Sequence, residues 1–325
     1  MMKQMNKKNP ILSLRHGDRV ALISHVNPDG DSLGSIMALG LSLEKVCGHV
    51  DILVNDDIPE RYKFLPGINS AQLYNAESGL LYDYCFVLDC GDETRLGYSK
   101  KLLEQSRTVV NIDHHISNNM FGHINIIDSK ASSTCEMVFG LIKDSFFMDD
   151  VDIATCLYTG ISTDTGNFVY DNTSAKTHKI AAKLLKVGID IQDISEHLYQ
   201  SRSLKSVKFL GHVLNNLQTS HDGKVVTISI PRALRVEFEV SEDEVEGVIN
   251  YARDIKGVEV AILIKELEAD KVKLGFRSKK DVDVSKLALE FGGGGHKKAS
   301  GATLYKSLDE AIIILDEKLS TYIGW

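Results

Sequence analysis

Short apolar runs alternate with longer amphipathic segments along the first 200 residues of the chain. Runs with the length and composition of buried strands occupy residues 20–23, 50–54, 83–88, 108–112 and 124–127. Segments with helical patterning occupy residues 36–46, 134–147, 153–160, 174–187 and 191–199. Strands that alternate with helices are typical of βαβ units. The pattern therefore predicts an α/β fold with a larger N-terminal domain, built on a doubly wound, mainly parallel sheet.

The pattern changes after residue 200. Residues 201–218 mix polar and apolar positions at helical spacing, which predicts a helical connector. Beyond it the pattern predicts strands at 225–230, 258–264 and 272–276, and helices at 242–252 and 307–322. These elements predict a smaller, separately cored C-terminal α/β domain. The predicted boundaries are therefore residues 1–200, the connector 201–218, and residues 219–325.

Composition narrows the class of protein. Of the 325 residues, 43% are hydrophobic and 25% charged, as in ordinary soluble proteins with sizeable cores. The net charge of −8 argues against a binder of long double-stranded nucleic acid, which would carry a broad basic face. The five cysteines are scattered without a C-x-x-C pair, which suits a reducing cytoplasm. The start of the chain lacks a signal-peptide pattern and no apolar run is long enough to span a membrane, so we expect a cytoplasmic protein.

Acidic and histidine residues follow the predicted strands. His25, Asp29 and Asp31 come after the first strand, and Asp89 ends the third. In open α/β sheets, ligands bind at the carboxyl ends of the strands. Each aspartate considered alone is also explained as a helix cap or a turn residue, and this alternative stays open. Two carboxylates in one loop, however, repel each other unless a cation or a proton lies between them.

Two further segments enlarge this set of residues. The fourth strand leads into Asp113-His114-His115, and Asp164 follows the apolar segment 153–160. Six residues are taken to lie at strand ends and are the candidate metal ligands: His25, Asp29, Asp31, Asp89, His114 and Asp164. Four carboxylates and two imidazoles without a thiolate favour hard to borderline divalent metals. The set is too large for one ion and suits two ions that share a bridging carboxylate, as in two-metal phosphoester hydrolysis.

A glycine run near the end of the chain predicts a second kind of site. Residues 292–295 are all glycine, and His296 and two lysines follow at once. Consecutive backbone N–H groups without side chains can form a concavity for an anion, although a flexible turn is the alternative. Residues 272–298 carry a net charge of +4 in a chain that totals −8. Arg277, at the end of a predicted strand, could make bidentate contacts with a phosphate.

These motifs together resemble those of the DHH phosphoesterase superfamily. The matching segments are H-x-x-P-D-G-D at 25–31, D-H-H at 113–115, and G-G-G-G-H-x-x-A-S-G at 292–301. The chain is most similar to the nanoRNase and 3′-phosphoadenosine-5′-phosphate (pAp) phosphatase subgroup, which has a DHH-associated C-terminal domain. The resemblance implies an active site in the cleft between the two domains. It also implies two divalent ions, manganese first, with magnesium or cobalt as alternatives.

The resemblance also implies a role for each residue. One ion is expected on His25, Asp29 and Asp89, and the other on Asp31, Asp89, His114 and Asp164, so that Asp89 bridges them. Asp113 is expected to orient the neighbouring imidazole, and His115 to contact the scissile phosphate. The catalytic residues implied are thus Asp89, Asp113 and His115. The nucleotide would be held by His115, Arg277, Gly294, Gly295 and His296.

The implied activity is hydrolysis of short oligoribonucleotides to mononucleotides and of pAp to AMP. A cyclic di-AMP or linear dinucleotide phosphodiesterase is the alternative within the superfamily. Related exonucleases carry an additional OB-type domain for which this chain has no length, and family II pyrophosphatases lack the glycine motif. A non-catalytic nucleotide-binding module would be expected to have lost a ligand, and all six ligand positions are present. Homodimerisation stays open.

Overall fold

Six parallel strands form the sheet of the first of two compact units. The computed structural model describes residues 9–77, 79–143, 149–245 and 247–322. The units divide between Ser201 and Arg202. The first sheet has the order β3-β2-β1-β4-β5-β6. Its strands are β1 (Arg19–Ile23), β2 (His49–Val54), β3 (Gln72–Leu73), β4 (Tyr82–Leu88), β5 (Ser106–Asp113) and β6 (Ile124–Ile127).

Five α-helices accompany this sheet within the described residues. They are α1 (Gly30–Glu44), α2 (Thr134–Ile142), α3 (Val151–Asp164), α4 (Ala175–Val187) and α5 (Ile191–Tyr199). Helix α1 is buried on nearly all sides, because it packs between the sheet and the other helices. The parallel sheet and its helices confirm the predicted α/β class of the first unit. The predicted helix end at Phe147 lies outside the described residues.

Two predicted helix boundaries in this unit were wrong. Helix α1 begins at Gly30 rather than at residue 36, because the Asp29 side chain caps it there. Helix α3 continues to Asp164, so this residue ends a helix and does not follow a strand. The polar run Ser162-Thr163-Asp164 hid the last turn, since it interrupts the apolar pattern. Thr163 nevertheless stays in the helix, with its hydroxyl donating to the carbonyl of Thr159.

The order of strands in the first sheet marks a binding position. Strand β1 pairs with β2 on one side and with β4 on the other, and the chain reverses its direction of winding between β1 and β4. In open parallel sheets, the crevice outside such a switch point receives the ligand. The loops after β1 and β4 carry His25 and Asp89, and the loop after neighbouring β5 carries His114. The topology therefore brings three of the predicted ligands to one edge of the sheet.

The second unit is built on a mixed sheet with the order β11-β12-β10-β9-β8-β7, in which only β8 and β9 pair in parallel among the described strands. Its strands are β7 (Gln218–Ser220), β8 (Val225–Ile230), β9 (Val260–Glu268), β10 (Lys271–Ser278), β11 (Gly294–His296) and β12 (Ala299–Leu304). Its helices are α6 (Leu204–Asn215), α7 (Arg232–Glu237), α8 (Val248–Asp254), α9 (Val284–Leu289) and α10 (Leu308–Tyr322). A second, smaller sheet unit was predicted and is confirmed.

Several details of the second unit differ from the prediction. The helix predicted over 242–252 is a short 3-10 turn (Asp243–Val245) followed by α8, because Gly247 adopts a left-handed φ of +78° between them. Helices α7 and α9 and strand β12 were not predicted. The glycine run is partly a strand, since β11 pairs with β12. Helix α6, which covers the predicted connector, buries Phe209 and Val213 in the core of the second unit.

The length and polarity of the helices bear on the prediction that no segment spans a membrane. No helix in the described ranges combines the length and the apolar character that a bilayer crossing requires.

Candidate metal centre

The loop after β1 places two of the predicted ligands. Asp29 Oδ1 accepts hydrogen bonds from the N–H groups of Asp31 (3.1 Å) and Ser32 (3.0 Å), so this residue is the N-cap of α1. The same carboxylate also groups with His25 and Asp89 as a donor set within 4.8 Å. His25 Nδ1 lies 2.8 Å from the carbonyl oxygen of Val26 and must donate to it. Its Nε2 is therefore left as a lone-pair donor on the side of Asp89.

Asp31 is held by the N-terminus of helix α2. Its Oδ2 accepts from the N–H of Thr134 at 2.6 Å, and its Oδ1 accepts from the N–H of Cys135 at 2.8 Å. These N–H groups belong to the first turn of α2, which Ser133 caps. A helix N-terminus favours a negative charge at this point. Asp31, which is only 1% exposed, thereby has both carboxyl oxygens oriented.

Gly160 makes room for this carboxylate. A Cβ atom at Gly160 would lie 3.0 Å from Asp31 Oδ1 and 2.2 Å from Cys135 Sγ. Helix α3 can therefore approach α1 and α2 this closely only with glycine at the position. The close approach matters because α3 ends at Asp164, another predicted ligand.

Asp89 lies at the centre of the cluster. It follows β4 with a left-handed φ of +55° and is 2% exposed. Its Oδ2 is 3.5 Å from His25 Nε2, and its Oδ1 is 3.6 Å from His114 Nε2. A non-glycine residue with positive φ is uncommon and strained, so the surroundings must hold it in place. The two oxygens of Asp89 thus face two different imidazoles.

His114 joins Asp89 to the two remaining carboxylates. Its Nε2 lies 3.9 Å from Asp31 Oδ2 and 3.6 Å from Asp164 Oδ2. Asn172 supports Asp164, since its side-chain amide donates to the Asp164 backbone carbonyl at 3.1 Å. Asp31, His114 and Asp164 form a second donor set within 4.8 Å. Although Asp164 ends a helix, it reaches the same cluster as the strand-end residues.

His115 is oriented by a carboxylate of its own. Its Nδ1 lies 2.6 Å from Asp113 Oδ1, and Asp113 Oδ2 accepts from the Asn118 amide at 2.6 Å. Burial opposes the charge of Asp113, but the hydrogen bond and charge of His115, together with the Asn118 hydrogen bond and the charge of His114, outweigh it and hold the pKa of Asp113 below its usual value. Burial would also lower the pKa of His115, but the hydrogen bond to Asp113 and the charges of Asp89 and Asp113 raise it overall. The neighbouring imidazole that Asp113 orients is therefore that of His115.

The charges of the cluster are not balanced by the protein alone. Burial and neighbouring carboxylates raise the pKa of Asp31, and they raise the pKa values of Asp89 and Asp164 well above the usual range. Burial also lowers the pKa of His25. Within the described parts of the chain, the ion-pair partners of these three carboxylates are imidazoles, with no lysine or arginine. Such a cluster is stable when cations neutralise it or when it takes up protons.

The donor atoms fit divalent metal ions. They form three overlapping groups, each within 4.8 Å, and Asp89 and His114 each belong to two of the groups. Oxygen and imidazole nitrogen donors suit manganese, magnesium and related ions. His115 and Asp89 join His114 in the third group, a combination that the resemblance did not include.

Thr134, which contacts the carboxylates of Asp31 and Asp89, was not predicted from the sequence. Its hydroxyl donates to Asp89 Oδ1 at 3.1 Å, while its backbone N–H donates to Asp31 Oδ2. The available signal was Ser132-Ser133-Thr134, a segment typical of a helix start. That signal indicates a cap but not what the helix N-terminus faces. Asn118, which supports Asp113, and Asn172, which supports Asp164, were also not predicted.

Three of the predicted nucleotide-binding residues lie around a cavity of about 370 Å³ in the second unit. Arg277, Gly294 and Gly295 line it. A Cβ atom at Gly295, where φ is +139°, would lie 2.6 Å from the carbonyl oxygen of Ala299, so the strand pair requires glycine there. The Arg277 guanidinium donates to the carbonyl of Phe276 at 3.0 Å. The backbone of His296 lies in β11, and its side chain is outside the described part.

Comparison with known proteins adds the family to this geometry. The family model described as "DHH family, N-terminal domain" matches residues 19–161, and the "DHHA1 domain" model matches residues 222–321. The chain is 34% identical to the bifunctional oligoribonuclease and PAP phosphatase NrnA of Thermus thermophilus, over 89% of this chain and 85% of the relative. The chain belongs to the DHH family. The family prediction is therefore confirmed, as is the prediction of an enzyme of this phosphoesterase family.

Two further DHH-family comparisons cover nearly the whole chain. The NrnA protein of Bacillus subtilis, with the same descriptive name, is 29% identical over 92% of this chain and 93% of the relative. The crystal structure of an exopolyphosphatase-related protein from Bacteroides fragilis superposes with a TM-score of 0.89 at 28% identity, covering 99% of this chain and 98% of that one. This likeness agrees with the fold class predicted from the sequence.

Proposed function

We propose that this chain is a metal-dependent phosphohydrolase that cleaves short oligoribonucleotides to mononucleotides and converts pAp to AMP. The observation that carries the proposal is the position of Asp89, whose two oxygens face His25 and His114 in two different donor groups. A carboxylate shared in this way suits a pair of ions that act on one phosphate. The printed function of the Thermus and Bacillus relatives supports the choice of substrates.

The proposed metal ligands are the six residues named from the sequence. His25, Asp29 and Asp89 would hold one ion, and Asp31, Asp89, His114 and Asp164 the other. Manganese is the proposed metal, with magnesium and cobalt as alternatives, because all these donors are carboxylate oxygens and imidazole nitrogens. When bound, such ions supply Lewis acidity toward water and toward the phosphoryl oxygens.

The remaining chemistry is assigned to His115 and Asp113. The Asp113 carboxylate binds Nδ1 of His115, which fixes the orientation of the ring and favours its protonated form. The other ring nitrogen of His115 then carries a proton that it can donate to a phosphate oxygen or to the departing oxygen. Asn118 holds the Asp113 carboxylate from its far side. The dyad is thus a proton donor with a fixed direction.

Nucleotide binding is assigned to the second unit. Arg277, Gly294 and Gly295 line its cavity, and His296 follows them in β11. A guanidinium and exposed backbone N–H groups are suited to a phosphate. The proposed substrates are therefore small nucleotides and short RNA, acted on in the cytoplasm. Cyclic di-AMP is the alternative substrate to be tested, although the names of the relatives do not favour it.

A substrate panel tests the proposal. Purified protein, stripped with a chelator, would be assayed with manganese, magnesium or cobalt on pAp, di- to pentaribonucleotides, cyclic di-AMP and pyrophosphate. We expect turnover of pAp and of the short ribonucleotides, with dependence on added metal. Turnover confined to cyclic di-AMP or to pyrophosphate would refute the proposed function. Metal content, measured on the same samples, distinguishes protein that is inactive because it lacks metal from protein that holds metal and is still inactive.

A further inference from the structure

The cavity of the second unit has charged residues toward both ends of one strand. The side chains of Val272, Leu274 and Phe276 are fully buried on one face of β10. Because successive side chains alternate, Lys273, Gly275 and Arg277 belong to the opposite face, which lines the cavity. With a rise of ~3.4 Å per residue, the Cα atoms of Lys273 and Arg277 lie roughly 14 Å apart. This separation leaves room for a nucleoside between two phosphate positions.

The surface between these ends lacks side chains at two positions and is partly apolar. Gly275 pairs with Gly301 of β12 on one side and with Leu263 of β9 on the other. Neither glycine has a side chain to occupy the floor of the cavity. Leu263 and Ile249 add apolar surface along its wall. A base or a sugar can lie on such a floor, with its phosphates directed to the charged ends.

Two lysines meet at the end of the cavity away from Arg277. Lys273 pairs directly with Lys265 across β10 and β9. Like charges at directly opposed positions destabilise a sheet, since their Cβ atoms lie about 4.5–5.5 Å apart. Lys265 is 8% exposed, so its ammonium group is largely withdrawn from water. Such an arrangement needs an anion nearby.

The protein supplies one carboxylate for this end. Glu242 is the single acid among the described residues that line the cavity, and it accepts from Lys265 Nζ at 2.9 Å. Its other oxygen lies 3.4 Å from the Arg235 guanidinium. Lys273 makes no hydrogen bond or ion pair within 4 Å with any residue that the structure describes, but its charge also acts on the Glu242 carboxylate. One carboxylate is therefore divided among several cations, and positive charge remains.

We propose that Lys265 and Lys273 form a second phosphate-binding position, which selects substrates that carry a phosphate in addition to the one hydrolysed. The inference rests on the proposed function and specifies its substrate class. pAp and a 5′-phosphorylated dinucleotide both carry a 5′-phosphate one nucleoside away from the bond that is cleaved. Adenosine 3′-monophosphate (3′-AMP) lacks that group and is otherwise the same as pAp. The lysine pair is a specificity determinant, separate from the residues that perform the chemistry.

The test compares pAp with 3′-AMP in wild type and in Lys273→Gln. Because Lys273 is exposed and its side chain fills no core, the substitution should leave the fold intact. We expect kcat/KM for pAp to fall about ten-fold through KM, while that for 3′-AMP changes little. Lys273→Arg should retain the preference, since it keeps the charge. Lys271→Gln, in the same strand but outside the cavity, is the matched control.

A binding measurement makes the result independent of turnover. Calorimetry would compare AMP, which has the 5′-phosphate, with adenosine, which does not. We expect Lys273→Gln to weaken AMP binding about ten-fold and to leave adenosine unchanged. Equal loss of pAp and 3′-AMP turnover, or unchanged AMP binding in Lys273→Gln, would overturn the inference. If wild type bound AMP as expected but hydrolysed neither pAp nor dinucleotides, the proposed function would fail while the phosphate position stood.

Discussion

The backbone N–H of Thr134 donates a 2.6 Å hydrogen bond to Asp31 Oδ2, and this bond joins residues 103 positions apart in the chain. The Thr134 hydroxyl meanwhile reaches Asp89 Oδ1 at 3.1 Å. One residue at a helix start therefore fixes the spacing of two carboxylates, one from the first turn of α1 and one from the loop after β4. The alignment of α2 with the sheet edge sets the geometry of the site as much as the ligands do.

Removal of the shared carboxylate should abolish activity. In Asp89→Asn we expect metal-dependent turnover to fall by about 10²-fold or more, because both proposed ions lose a ligand. Circular dichroism should show a preserved fold. Asp128→Asn is the matched control, since Asp128 is an exposed aspartate that follows β6 on the same sheet edge. Near-normal turnover by Asp89→Asn with manganese supplied would contradict the two-metal proposal.

The hydroxyl of Thr134 should matter for metal affinity. Thr134→Val removes the hydrogen bond to Asp89 but keeps the backbone bond to Asp31. We expect manganese affinity, measured by calorimetry, to fall about 10- to 100-fold, as is typical when a ligand loses its supporting hydrogen bond. Thr134→Ser, which keeps the hydroxyl, should bind nearly as wild type does. If the valine and serine variants behaved alike, the hydroxyl would have no part in positioning Asp89.

Asn118 should affect the chemical step rather than metal binding. Its amide donates to Asp113 Oδ2, and Asp113 in turn orients His115. In Asn118→Ala we expect kcat to fall about ten-fold, because the dyad is less well positioned, with manganese affinity nearly unchanged. Asn119→Ala, at the exposed neighbouring position, serves as the control. A loss of manganese binding equal to the loss of kcat would place Asn118 with the metal ligands instead.

Arg277 should discriminate between large and small substrates. In Arg277→Ala we expect kcat/KM for pAp to fall roughly ten- to a hundred-fold, the usual effect of losing a charge-assisted contact to phosphate. Bis(p-nitrophenyl) phosphate has no nucleoside to place in the cavity of the second unit and should react almost as before. Arg232→Ala changes an exposed arginine of the same unit that lies outside the cavity. Should the generic diester lose activity to the same extent while metal stays bound, Arg277 would belong to the reaction centre.

Substrate length should limit the rate. A cavity of about 370 Å³ has the size of a small-ligand site and could not enclose a long strand. We expect turnover per bond to fall steeply from dinucleotides to a twenty-nucleotide RNA, measured by separation of labelled products. Equal rates on the two substrates would indicate a channel for processive degradation.

Most strands of the two sheets could be predicted from the sequence because each contains a short apolar run. The runs 225–230 and 124–127 match β8 and β6 to the residue, since turn residues or polar positions end the apolar pattern there. Strand β11 could not be predicted in this way. It consists of Gly294, Gly295 and His296, and its strand conformation depends on pairing with β12 rather than on its own side chains.

The ligands could be recognised from the sequence more easily than the residues that support them. His25, Asp89 and His114 follow buried strands, so the parallel topology alone brings them together. Asp164 reaches the cluster from the end of a helix, and no strand pattern predicts that approach. The partners of Thr134 and Asn172 depend on how helices pack in three dimensions. That packing is decided by side-chain volumes and by close contacts such as the one at Gly160.

The capping role of Asp29 couples folding of the first turn of α1 to the state of the site. The carboxylate that accepts the N–H groups of Asp31 and Ser32 also belongs to the donor group of His25 and Asp89. A cation bound to the Asp29 carboxylate would draw electron density away from its hydrogen bonds to these N–H groups. It would also hold the Asp29 side chain in place, so that the first turn of α1 frays less. Ion dissociation and local opening of α1 are then parts of one linked equilibrium, as in other proteins whose ligands are also structural. Amide exchange at these two N–H groups would register occupancy of the site without any substrate.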